Sequence, residues 1–136
     1  VGIVFQQYHL LPHLTALENV RLPLEIQGIQ NPERAENLLK ELGLAERLNH
    51  LPRQLSGGEC QRVAIARALA SEPRLILADE PSGNLDTLTG RAVMEAFFRQ
   101  VKGAHATTIL VTHNQELAER CQRRYLLENG RLRELP

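Results

Sequence analysis

Between Leu75 and Pro81 the chain reads Leu-Ile-Leu-Ala-Asp-Glu-Pro, and this phrase restricts the fold more than any other stretch. Four continuous apolar residues are too few for a helix, and Pro81 cannot extend a strand ladder. The phrase therefore reads as a strand buried on both faces that stops at two carboxylates, Asp79 and Glu80. Two further segments share the pattern. Val1 to Phe5 is a short apolar run ending at Gln6-Gln7, and Thr107 to Thr112 is β-branched and apolar and stops at His113-Asn114. Helical segments lie between them: Ala16 to Gln27 behind an N-cap at Thr15, Pro32 to Leu42 opened by Asn31, Cys60 to Ala70, and Thr87 to Lys102. A short helix around Gln115 to Arg120 follows the third strand. Asn129-Gly130, between Arg124 to Glu128 and Arg131 to Leu135, signals a hairpin with a type I′ turn. Strands alternating with helices make this an α/β chain with a mostly parallel sheet covered on both sides, whose ligands lie beyond the carboxyl ends of the strands. All three strand ends carry reactive polar groups.

Composition bounds the rest. The 136 residues carry 16 basic and 16 acidic side chains, and this balance speaks against a nucleic-acid partner gripped through its phosphates. A chain of this length buries roughly two-thirds of its unfolded surface, enough for one core without staples. Cys60 and Cys121 are far apart and have no partner at metal-ligand spacing, which fits a reducing cytosol. No apolar run reaches the roughly 18 residues of a membrane span, and the first residues lack the pattern of a signal peptide.

The candidate residues have a common chemistry. Asp79 at a strand end suits Mg²⁺, a hard cation that takes oxygen ligands and keeps part of its water. The neighbouring Glu80 suits a base that orients and deprotonates an attacking water. Ser56-Gly57-Gly58-Glu59 matches a capping box, with two glycines leaving backbone N–H groups uncovered for a phosphate chain. His113, neutral or protonated, could donate a hydrogen bond to a terminal phosphate. Each feature alone has an ordinary reading: a solvated turn, a well-capped helix, a structural histidine. Among Leu38, Leu39, Leu42 and Leu44 the plain reading is a helix face packed on its neighbour.

In order along the chain, Phe5-Gln6, Leu55-Ser56-Gly57-Gly58-Glu59 with Gln61-Arg62, Leu75 to Pro81, Ser82-Gly83-Asn84-Leu85-Asp86 and Thr112-His113 resemble the ATP-binding subunits of ABC transporters. A chance Ser-Gly-Gly-x-x-Gln-Arg has odds on the order of one in a million per position at ordinary composition, so the ordinary readings give way together. The resemblance runs from Val1 to the C-terminal hairpin. It implies a P-loop NTPase-like ABC ATPase domain over residues 1–136, with a helical subdomain at 7–55 that serves as the dock for a membrane permease. It further implies ATP and Mg²⁺ as cofactors. Gln6 resembles the Q-loop glutamine, which senses Mg²⁺ and the terminal phosphate. Ser56, Gly57, Gly58 and Glu59 resemble the signature motif, which binds the ATP held by the opposite subunit. Asp79 resembles the Walker B aspartate that supports Mg²⁺, Glu80 the catalytic base, Asp86 the D-loop aspartate at the dimer interface, and His113 the switch histidine. Cys60 departs from the glutamine or arginine common at its place, and Ser82 from threonine.

Leu10-Leu11-Pro12 and Ala16-Leu17-Glu18-Asn19-Val20 resemble the bacterial branch that contains lipoprotein-releasing and macrolide-export ATPases. The implied function is ATP hydrolysis powering transmembrane export or lipoprotein release. The implied partners are a second copy of the subunit and integral permeases, on the inner face of the bacterial plasma membrane. The other readings are an ABC-type ATPase of translation or DNA maintenance, and a fragment without catalysis. Neither a coiled-coil insert nor a second cassette supports the former, and intact Glu80 and His113 oppose the latter. The family places a glycine-rich Walker A loop before the Q-loop glutamine, but this chain contains no Gly-x-x-x-x-Gly-Lys, and Lys40 and Lys102 are its only lysines. The expectation is therefore the larger C-terminal part of one ATPase domain, with an exposed sheet edge and no measurable turnover by itself.

Overall fold

A computed structural model describes all 136 residues. The elements in chain order are β1 (Gly2–Val4), α1 (Ala16–Ile26), α2 (Pro32–Glu41), α3 (Gly57–Leu69), β2 (Leu75–Asp79), α4 (Thr87–Gly103), β3 (Thr107–Val111), α5 (Gln115–Ala118), β4 (Arg124–Glu128) and β5 (Arg131–Leu135). Strands β1, β2 and β3 form one parallel sheet in that order, with Val4 beside Ala78 and Asp79 beside Val111. Strands β4 and β5 form a separate antiparallel hairpin. Its turn residues Asn129 and Gly130 have φ of 49° and 74°, the left-handed pair expected of this dipeptide.

Local chemistry starts the helices where the caps predict. Thr15 accepts from the Glu18 amide while the Glu18 carboxylate accepts from the Thr15 amide, and Asn31 caps α2 with Pro32 at its first position. Helix α1 runs on through Pro23 to Ile26. The helical insert is pinned onto α3 by two arginines. Arg34 of α2 donates to the carbonyls of Leu69 and Ala70, where the helix dipole favours a cation, and Arg62 of α3 donates to Leu42 O. Leu38 and Leu39 are buried, as their face predicts, in a core shared with Val20, Ile65, Ile76, Val93 and Phe97.

One expectation about the sheet needs correction. The strands were expected to be covered on both faces, but only Gly2, Val4, Ile76 and Ala78 on one side are buried, against the helices. On the other side Ile3, Leu77 and Ile109 lie side by side by register, with Ile3 40% and Ile109 52% exposed. No element of this chain packs there, so β2 alternates between buried and half-buried positions instead of being enclosed.

Asn19 is the buried polar anchor of the insert. Its Oδ1 accepts from the Leu11 amide at 2.8 Å, and its Nδ2 donates to the carbonyls of Leu11, Leu14 and Thr15. Truncation would leave the Leu11 amide and the Leu14 carbonyl without a partner and open a gap at a fully buried position. Asn19→Ala is expected to lower the unfolding free energy by about 2–4 kcal/mol, read from the midpoint of a urea transition.

Candidate functional site

The parallel register carries three strand ends to one edge of the sheet, beyond which lie Gln6, Asp79-Glu80 and Thr112-His113. The Glu80 amide still donates to Val111 O at 2.9 Å, so the chain follows β3 for one more residue before turning. The turn places Glu80 at φ 41°, in the left-handed region that a non-glycine residue occupies only at a cost of about 1 kcal/mol or more. Its carboxylate is held from two sides. Oε1 accepts from the His113 backbone N–H at 2.8 Å and lies 2.6 Å from His113 Nδ1, and Oε2 accepts from the Thr112 hydroxyl at 3.3 Å. Thr112 Oγ1 in turn accepts from the Asn114 amide, and Asn114 caps α5.

This geometry sharpens the expectation for His113. An ionised Glu80 can only accept, so Nδ1 carries the proton, and Nε2 of the neutral ring is left with a lone pair. Nε2 has no partner within the chain, and the side chain is largely exposed. Donation from Nε2 to a phosphate therefore requires the imidazolium while Glu80 is ionised. Once Glu80 carries a proton, its hydroxyl can donate to Nδ1 instead, and the neutral ring then has an Nε2–H to offer.

Gln6 is held by a residue that the sequence did not single out for a role. Its Nε2 donates to Asn84 Oδ1 at 3.0 Å, and Asn84 Nδ2 donates to the Gln6 backbone carbonyl at 3.1 Å. Asp79, the last residue of β2, is exposed and hydrogen-bonds to no side chain. Gln61 was also missed as more than a motif letter. It is fully buried in α3, and its Nε2 donates to the carbonyls of Phe5 (3.2 Å) and Pro81 (2.5 Å). One side chain thus bridges the residue before Gln6 and the residue after Glu80. A polar residue beside Val63, Ala64 and Ile65 on a buried helix was the available signal. Arg67, further along α3, donates to the carbonyls of Tyr8 (2.8 Å) and His9 (2.5 Å). Those two residues have φ of 56° and 49°, so the arginine secures a strained turn just after Gln6.

The turn into α3 joins the capping and anion readings of one motif. Ser56 Oγ accepts from the Glu59 amide, and Glu59 Oε2 accepts from the Ser56 amide at 2.9 Å. Glu59 Oε1 also takes a hydrogen bond from Arg47 at 3.2 Å. The Ser56 amide, then Arg47, holds the Glu59 carboxyl below the usual carboxylate range. Glu59 is thereby engaged in shaping the turn. The amides of exposed Gly57 and buried Gly58 donate to no acceptor in the chain. Both glycines are also required by packing: a Cβ on Gly57 would stand 2.9 Å from the Tyr8 hydroxyl, and one on Gly58 would stand 2.4 Å from Thr89 Cγ2. Asp86 caps α4 by accepting from the Thr89 amide at 3.0 Å, and the hydrogen bonds from Thr89 lower its carboxyl. Hydrogen bonds join Glu80 to Thr112 and His113, and Gln6 to Asn84; none joins Ser56, Gly57, Gly58 or Asp86 to Gln6, Glu80 or His113.

The donor set fits Mg²⁺ with a nucleotide better than a resident metal. No three His, Cys, Asp or Glu side chains converge to cage an ion. Mg²⁺ is commonly bound by one or two protein oxygens together with phosphates and water, and Asp79 and Gln6 Oε1 offer two oxygens with no competing partner.

A parallel sheet with a supported carboxylate, an oriented amide and an imidazole beyond its carboxyl ends has the arrangement of α/β proteins that bind ligands at that edge. A sequence model of the family described as ABC transporter matches residues 1–83, and the chain belongs to that family. The lipoprotein-releasing system ATP-binding protein LolD of Nitrobacter winogradskyi is 51% identical over 99% of this chain and 60% of its own length. An uncharacterized ABC transporter ATP-binding protein of Thermotoga maritima is 55% identical over 88% of this chain and 52% of its own. Among solved structures, the ATP-binding cassette MJ0796, a dimer in a post-hydrolysis state bound to ADP and Pi, superposes with a TM-score of 0.84. It is 44% identical, and the match covers 98% of this chain and 61% of that one. The chain thus spans about 60% of the length of the LolD relative it matches. No helix is long and apolar enough to cross a membrane.

Proposed function

We propose that this chain is part of the ATP-binding and ATP-hydrolysing subunit of an ABC transporter that drives lipoprotein release from a membrane. The observation that carries the reading is the Glu80 carboxylate, held by Thr112 and His113 at the carboxyl ends of parallel strands. Glu80 takes the proton of the attacking water, and protonated His113 stabilises the terminal phosphate through Nε2. Asp79 and Gln6 hold Mg²⁺, which when bound neutralises charge developing on the phosphate oxygens. The free amides of Gly57 and Gly58, with the Ser56 hydroxyl, meet the phosphates of ATP held by a second subunit. Asp86, while capping α4, faces that subunit, and Glu59 keeps the turn in shape.

Residues 1–136 make up an ABC ATPase domain lacking its N-terminal Walker A part, and residues 7–55 form the helical subdomain within it, which docks on the permease. The identity to lipoprotein-releasing ATP-binding proteins supports the substrate class and the location, peripheral on the cytoplasmic face of the bacterial plasma membrane. Reconstitution tests this. The protein produced from the complete coding sequence, with its permease in nanodiscs, is expected to dimerise on ATP and to hydrolyse it only with Mg²⁺. A monomer without Mg²⁺-dependent turnover under those conditions refutes the reading.

A further inference from the structure

The reciprocal amide pair between Gln6 and Asn84 has only one self-consistent arrangement. The Gln6 backbone carbonyl can only accept, so the Asn84 group facing it at 3.1 Å must be Nδ2–H. Asn84 then presents Oδ1 to the Gln6 side chain, and only Nε2–H can answer it, at 3.0 Å. The flip of the Gln6 amide follows. Its NH₂ is committed to Asn84, and Oε1, without any partner in the chain, is turned away. Gly83 narrows the choice further, because the Gln6 side chain lies across it: a Cβ there would stand 2.6 Å from Nε2 and 3.0 Å from Cδ. The bracket belongs to the turn that starts at Glu80, where the Gly83 amide donates to Glu80 O at 2.9 Å and the Leu85 amide to Ser82 O at 3.1 Å.

We propose that Asn84 is a positioning residue that fixes the flip of the Gln6 side-chain amide, so that Gln6 offers an oxygen and not an NH₂ group to the Mg²⁺ that accompanies ATP. The inference rests on the reading that Gln6 meets this cation. A hard dication is bound by amide oxygen and repelled by the NH₂ dipole, so an amide free to flip loses part of its ligand strength. The same turn supplies both the Glu80 carboxylate and the group that aims Gln6, so the two are set together.

Three measurements on the protein from the complete coding sequence test this. Without cation or nucleotide, hydrogen exchange of the Gln6 side-chain NH₂, followed by ¹⁵N NMR, is expected to be about fivefold or more slower than in Asn84→Ala, the protection of one hydrogen bond. With a non-hydrolysable ATP analogue, Asn84→Ala is expected to raise the half-saturating Mg²⁺ concentration about five- to tenfold, with affinity for the metal-free analogue unchanged. In a Gln6→Glu background either carboxylate oxygen can face the ion, so adding Asn84→Ala is expected to shift Mg²⁺ dependence less than about twofold. Equal NH₂ exchange in wild type and Asn84→Ala overturns the proposal, as does a Mg²⁺ shift that persists undiminished in Gln6→Glu. If Gln6→Ala leaves Mg²⁺ dependence unchanged, the cation role of Gln6 falls and the proposal falls with it. A shift in Gln6→Ala without one in Asn84→Ala removes only the role of Asn84.

Discussion

Glu80→Gln, introduced into the protein produced from its complete coding sequence, is expected to lower steady ATP turnover by about 10²–10⁴-fold, the range contributed by a positioned general base. The substitution is close to isosteric. The amide oxygen can still accept from the His113 N–H, and the Thr112 hydroxyl can rotate to accept from the new NH₂ group. The side chain therefore keeps its place while losing its ability to take a proton. The left-handed backbone at residue 80 is unchanged in kind, so folding should be affected little. Nucleotide affinity, measured separately with a fluorescent analogue, should stay within about threefold, because no direct phosphate contact is removed. Turnover within tenfold of the parent protein would exclude Glu80 as the base.

Gly58→Ala is expected to have the largest effect on stability among substitutions at the site. Two effects oppose each other. Replacing glycine by alanine inside a helix ordinarily stabilises by about 0.5–1 kcal/mol. Here the new Cβ would stand 2.4 Å from Thr89 Cγ2, and the Thr89 hydroxyl, hydrogen-bonded to the Asp86 carboxylate, holds that methyl group in place. Overpacking of this kind costs about 1–3 kcal/mol, so the steric effect wins and α3 and α4 must part. The net loss should lower the thermal midpoint by about 3–6 °C. Thr89→Ser removes the offending methyl group, so the double variant Gly58→Ala/Thr89→Ser should recover most of that loss in the same melting experiment. A Gly58→Ala protein that melts no lower than the parent would show that the two helices have slack the structure does not contain.

The sequence disclosed the features governed by neighbours along the chain. Thr15, Asn31 and Ser56 cap helices because a side-chain oxygen reaches an amide three residues on, and Asn129-Gly130 turns because its own dihedral preferences favour positive φ. The strand ends were legible for the same reason, since a four-residue apolar run closed by Asp-Glu-Pro has few alternatives. The groups that aim the site were not. Gln61 reaches carbonyls 56 and 20 residues away, Arg67 reaches residues 58 and 59 away, and Asn84 reaches one 78 away. No local pattern encodes such contacts, because they exist only once the sheet and α3 are assembled. The open sheet face was misjudged on similar grounds. Continuous apolarity in Leu75 to Ala78 reports what a strand tolerates on both sides, and not what this chain supplies to cover it.

The backbone at Glu80 has a consequence for how this position can change. Glycine would relax the left-handed turn, but it would also discard the carboxylate that meets the His113 amide, the His113 ring and the Thr112 hydroxyl, so backbone strain and side-chain hydrogen bonding oppose each other at this residue. The dihedral preference of residue 80 and the reach of its side chain thus pull in opposite directions, and the turn into Ser82 and Gly83 is a compromise between them.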